Sequence, residues 1–81
     1  MALNLITWTF QYGDKVERVT LAAPPSAADL LGALRRKFND NNIAALLIGE
    51  SDVDITESLV KNLTPNSTYT VFKGMVVVLA H

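Results

Sequence analysis

The sequence predicts a single α+β domain in which one helix covers one face of a short β-sheet. Segments that alternate apolar and polar residues lie near both ends of the chain, as expected for half-buried strands. A segment between them carries apolar residues at helical spacing. With 81 residues, of which 49% are hydrophobic, the chain is long enough for one hydrophobic core and too short for two.

A β-hairpin is predicted at the start of the chain. Residues 5–12 alternate with period two, which puts Trp8 and Phe10 on one face. Residues 16–21 form a second half-buried strand, and Gly13 with the following aspartate is a turn signal between the two. Two consecutive prolines follow, and because proline cannot donate to a strand ladder, they end the hairpin.

The helix is predicted to begin at Ala27. Ser26 followed by Asp29 resembles a capping box, with an aspartate where glutamate or glutamine is usual. From there the apolar side chains fall on one helical face and the charged ones on the other. Residues 39–42 are asparagine and aspartate, which tolerate the left-handed backbone of a helix exit.

The second half of the chain is predicted to supply the remaining strands. Residues 44–48 form a short apolar run typical of a buried strand. Residues 49–66 are irregular and predict a short fourth strand and a single helical turn. Residues 68–72 alternate again and form the last strand. The predicted core consists of Trp8, Phe10, Leu30, Leu34, Phe38, Leu46, Ile48, Leu63, Tyr69 and Val71.

In this order and at this length, the elements resemble the β-grasp fold of ubiquitin and its relatives over roughly residues 4–74. The resemblance is carried by the hairpin with Gly13, the Pro25-Ser26 entry to the helix, the Leu30 and Leu34 stripe, the Leu46-Leu47-Ile48-Gly49 strand exit, and Leu63 ahead of Asn66-Ser67-Thr68. It implies a mixed sheet with the helix lying across it. The first and last strands would then run parallel at the centre of that sheet.

The inventory of reactive side chains predicts neither an enzyme nor a metal or cofactor site. The chain has no cysteine, and its one histidine is His81, so no nucleophile and base pair is available. Four acidic residues cluster in the second half of the chain, namely Glu50, Asp52, Asp54 and Glu57. They lack the glycine and the distant bidentate glutamate of a calcium loop, so we interpret them as a solvated loop.

The charge balance and hydropathy of the sequence argue against nucleic acids and membranes as partners. Seven basic residues against eight acidic ones give a net charge of −1, without the basic excess that nucleic-acid-binding domains usually show. The chain has neither a basic-then-apolar leader nor an apolar stretch near 18 residues. We therefore expect a cytoplasmic protein with protein partners, and neither nucleic acid nor membrane as a ligand.

The resemblance also implies a docking surface. It places Leu47, Thr70 and Phe72 on the exposed sheet face that ubiquitin-like proteins use to bind partners. Thr70 stands where ubiquitin has a histidine, which argues against recognition by ordinary ubiquitin-binding modules. An exposed leucine beside a phenylalanine would make an apolar patch of the kind that marks interfaces. The alternative is that Phe72 merely covers the edge of the sheet.

The C-terminal segment supports two hypotheses. Conjugated ubiquitin-like proteins end in glycine, and Gly74 closely follows the last predicted strand. Residues 1–74 would then be the domain, and residues 75–81 either an apolar propeptide or an additional strand. In the first case the chain is a ubiquitin-like modifier precursor, cut after Gly74 by a protease and conjugated by an activating enzyme. In the second it is a non-conjugated interaction module that binds a scaffold or other protein through its sheet face.

Overall fold

The computed structural model describes residues 4–74, and it contains every element that the sequence predicts. In chain order these are β1 (Leu5–Tyr12), β2 (Lys15–Ala22), α1 (Ala27–Lys37), β3 (Ile43–Ile48), β4 (Ser51–Asp54), α2 (Glu57–Lys61) and β5 (Thr68–Lys73). The short fourth strand and the helical turn predicted between residues 49 and 66 are therefore β4 and α2. The hypotheses about residues 75–81 concern a segment outside the described residues.

The five strands form one mixed sheet in the order β2-β1-β5-β3-β4. β1 and β5 pair in parallel at its centre, and the other neighbouring strands pair antiparallel. Two-residue turns close both hairpins, and each begins with a glycine in the left-handed region: Gly13 at φ 63° and Gly49 at φ 64°. A side chain with a Cβ is strained there. The predicted mixed sheet with parallel central strands is confirmed.

Helix α1 lies against the inner face of this sheet and begins where the sequence predicts. The Ser26 hydroxyl accepts the Asp29 N–H at 3.0 Å, so it caps the first turn. Leu30 and Leu34 face the core and are 0% exposed. Helix α2 contacts the start of α1, where a Glu57 carboxylate oxygen accepts the Ala27 N–H at 2.8 Å.

The core between helix and sheet contains most of the predicted residues, with two corrections. Ile48 and Tyr69 are half-buried and pack against the core from its border. Ile48 ends β3 at the hairpin turn, and the Tyr69 hydroxyl accepts the Thr64 N–H at 2.8 Å near the surface. The buried hydrophobic residues are Trp8, Phe10, Val19, Leu30, Ala33, Leu34, Phe38, Ile43, Ala45, Leu46, Ile55, Val60, Leu63 and Val71.

Asp40 holds the loop between α1 and β3 against the ends of the two central strands. One carboxylate oxygen accepts the Tyr12 hydroxyl at 2.7 Å and lies 3.6 Å from the Lys73 ammonium, and the other accepts the Asn42 N–H at 2.9 Å. The Tyr12 hydrogen bond, followed by that of Asn42, lowers the pKa of Asp40 below its ordinary value. The same bond raises the pKa of Tyr12.

No helix within residues 4–74 has both the length and the apolar character needed to cross a membrane.

Replacing Leu34 with alanine should remove much of the stability of the domain. The side chain is fully buried between α1 and the sheet, so its loss should cost about 2–5 kcal/mol of unfolding free energy. Denaturant unfolding measures this cost. Arg36→Ala, on the exposed side of the same helix, is the control and should change stability by at most about 0.5 kcal/mol. Equal stability of wild type and Leu34→Ala would show that the assigned helix face is wrong.

The Asp40 carboxylate should make stability depend on pH. Because its pKa is lower in the folded state, its contribution is fully present above the unfolded value, ordinarily 3.8, and is lost as pH falls through the folded value. Melting temperatures of wild type and Asp40→Asn should therefore differ at neutral pH and converge in strong acid. Asp14→Asn, in the exposed β1–β2 turn, should leave the acid profile of the wild type unchanged. A gap that stays constant with pH would contradict the assignment.

Candidate interaction surface

The sheet has an inner face under α1 and an outer face that carries the three predicted docking residues. Leu46 is 0% and Val71 is 2% exposed, and both belong to the core. Because side chains alternate along a strand, Leu47 on β3 and both Thr70 and Phe72 on β5 point away from the helix. All three predicted residues therefore lie on the outer face, and each of them is half-buried.

Strand pairing brings these three residues together. In the antiparallel β3–β5 ladder, Leu46 pairs with Val71 and Ala45 pairs with Phe72. Continuing that register puts Leu47 opposite Thr70 and diagonal to Phe72, within the reach of long and aromatic side chains. Ala45 is only 5% exposed although it is outside the core cluster. Ala45, Leu47, Thr70 and Phe72 together form the outer patch, in which Leu47 and Phe72 are the large apolar groups.

Outside these residues the outer face is mixed, with threonines beside apolar, amide and charged side chains. The threonines on this face are Thr7 and Thr9 on β1, Thr20 on β2 and Thr68 at the start of β5. Two of them share a hydrogen bond between their hydroxyl oxygens at 2.8 Å, Thr7 on β1 and Thr20 on β2. The large hydrophobic residues that are most exposed, Leu5 at 63% and Val16 at 59%, each begin or nearly begin a strand. Leu47 and Phe72 are thus an apolar pair on β3 and β5, separated from Val16 on the outer face of β2 by Gln11 and Thr70.

The acidic residues in the second half of the chain separate in the structure. Glu57 accepts the Ala27 N–H at the start of α1, whereas Asp52 and Asp54 lie exposed on β4. Within residues 4–74, no three His, Cys, Asp or Glu side chains come together in a group that could hold a metal ion. His81 lies outside the described residues.

Gly74 is packed against the domain rather than extended away from it. Its N–H donates to the Asn42 carbonyl oxygen at 2.7 Å. A Cβ built on it would lie 2.9 Å from the Ala44 Cβ, closer than carbon atoms tolerate. The sequence predicts only a helix exit at Asn42, and its contact with the end of β5 depends on the folded sheet. A larger residue at position 74 would therefore collide with Ala44, and this packing is enough to explain the glycine.

Comparison with known proteins identifies the fold. No protein-family model matches the sequence, and no curated protein matches it. A solved structure from work on molecular mimicry of SUMO that promotes DNA repair aligns at a TM-score of 0.65 and 14% identity, over 89% of this chain and 95% of that one. The solution structure of a computationally designed protein based on human erythrocytic ubiquitin also aligns at 0.65, with 18% identity over 93% and 99% of the two chains. The chain therefore has the ubiquitin-like β-grasp fold.

Proposed function

We propose that this chain is a non-enzymatic ubiquitin-like interaction module that binds protein partners through Leu47, Thr70 and Phe72. The observation that carries the proposal is the apolar pair on the outer face, where a large aliphatic and an aromatic side chain come from neighbouring strands. Interfaces concentrate binding energy in such central aromatic anchors. Thr70, opposite Leu47 and two residues before Phe72 on β5, supplies a hydroxyl for a polar contact.

One of the two structural neighbours supports a role in protein recognition. It comes from a study of molecular mimicry of SUMO, and mimicry of another protein is a matter of presenting its surface to partners. The sequence supports the non-enzymatic part of the proposal, because it has no cysteine and its one histidine is His81. We propose a cytoplasmic protein as the partner, namely a scaffold, a processing protease or an activating enzyme, with neither nucleic acid nor membrane involved.

A second candidate function is a modifier precursor matured after Gly74 and conjugated by an activating enzyme. The position of Gly74 favours it, because the glycine directly follows Lys73, the last residue of β5. For Gly74 to enter the active site of a protease or an activating enzyme, the chain around it would have to be extended away from the domain. The 2.7 Å hydrogen bond from Gly74 to Asn42 would have to break, and Lys73 would have to leave Asp40. The modifier function therefore requires the C-terminal end of β5 to detach from the loop between α1 and β3.

Phe72→Ala should weaken partner binding without unfolding the domain. The half-buried ring lies outside the core, and loss of an aromatic anchor costs more than about 1 kcal/mol, or about fivefold in Kd. The partner is captured from extract of the native host, and its Kd is then measured by calorimetry. Circular dichroism checks the fold.

Leu5→Ala is the matched control for this experiment, because Leu5 is 63% exposed at the far end of the outer face. It should bind like the wild type. Unchanged affinity of Phe72→Ala, together with amide shifts around Arg35 and Arg36 on α1, would place the docking surface on the helix side instead.

The modifier hypothesis predicts a mature species in the native host. Intact-mass measurement should find chains ending at Gly74, or such chains joined to a lysine. Gly74→Ala combined with Ala44→Gly, which removes the crowded Cβ contact, should keep the fold and abolish those species. Recovery of only full-length chains through His81 from the host would contradict conjugation and leave the interaction module standing.

A further inference from the structure

Two carboxylates border the apolar pair on its β4 side. In the antiparallel β3–β4 ladder, Asp52 pairs with Leu47, and Asp54 pairs with Ala45, which in turn pairs with Phe72. Residues two apart on a strand share one face, so both aspartates flank the outer patch. Both are exposed. Each large apolar residue of the patch thus has a carboxylate on the same row of the sheet.

Neither of these carboxylates has an ion-pair partner in the part of the chain that the structure describes. Among residues 4–74 the only ion pair joins Lys73 to Asp40, at the end of β5 beside Tyr12. Arg35 donates to the Ile43 carbonyl oxygen. Arg18 lies on β2, at the opposite edge of the sheet from β4. The border of the patch is therefore negative on the β4 side, while Thr70 and Gln11 make it neutral on the β1 side.

Resting on the proposed docking role of this face, we propose that its partner is a basic amphipathic helix. Apolar side chains of that helix would cover Leu47 and Phe72, and lysines or arginines beside them would meet Asp52 and Asp54. The spacing fits, because residues two apart on a strand are about 6.6 Å apart and helical residues four apart are about 6 Å apart. Addition of a partner strand to β4 is disfavoured by its four-residue length and exposed acids.

Three designed helical peptides of 18 residues test the proposal. They share one leucine stripe, and the positions flanking it are all lysine, all glutamine or all glutamate. Each is titrated into the full ¹⁵N-labelled chain at low salt. We expect the lysine peptide to bind about threefold to tenfold more tightly than the glutamine peptide, as two exposed ion pairs allow. The glutamate peptide should bind more weakly than either. Amide shifts should centre on Leu47, Thr70 and Phe72.

Paired variants identify the source of the preference. Asp52→Asn with Asp54→Asn should remove the lysine preference and retain binding of the glutamine peptide. Asp14→Asn with Glu17→Gln changes the net charge equally, on the β1–β2 hairpin, and should retain the preference. Equal binding of the lysine and glutamine peptides at the patch would overturn the charge proposal and leave the docking role intact. Shifts confined to other surfaces with all three peptides would overturn both.

Discussion

Parallel pairing of β1 with β5 is the constraint on which the rest of the structure depends. It joins the two ends of the described chain, with Phe10 opposite Tyr69, so it closes the longest loop in the domain. Such a contact has a high entropic cost. Burial of Trp8, Phe10 and Val71 beneath α1 offsets that cost. Trp8 contributes through apolar burial, since its Nε1 has no hydrogen-bond partner among the described residues.

The same pairing creates the proposed docking surface. Once β5 lies between β1 and β3, alternation sends Val71 into the core and Phe72 outward, next to the residues of β3. Leu46 and Leu47 divide in the same way. One strand register thus decides which residues are in the core and which are on the outer face. A shift of one residue in the pairing of a strand would exchange the two sets. Packing of the core therefore also fixes which residues the outer patch presents, and such preorganisation lowers the cost of binding.

Local chemistry in the sequence was sufficient to predict most elements. Period-two alternation, the Ser26 cap and the Gly13 turn each act between residues close in the chain, so they need no tertiary information. The resemblance to ubiquitin-like proteins predicted the outward direction of Phe72. Contacts between distant segments could not be predicted in this way. The bond from Gly74 to Asn42, the carboxylates beside Leu47 and the burial of Ile43 all depend on which strands become neighbours. The half-burial of Tyr69 has the same origin, because its ring lies beside that of Phe10 on β1, with the ring centroids 6.2 Å apart.

Site-specific photo-crosslinking in the native host tests the central claim, that function resides on the outer face of the sheet. One variant carries p-benzoylphenylalanine in place of Thr70, and another carries it in place of Arg36 on the exposed side of α1. We expect irradiation to yield a discrete protein adduct from the first variant and none from the second. Adducts from the Arg36 position alone, or equal adducts from both, would contradict the account.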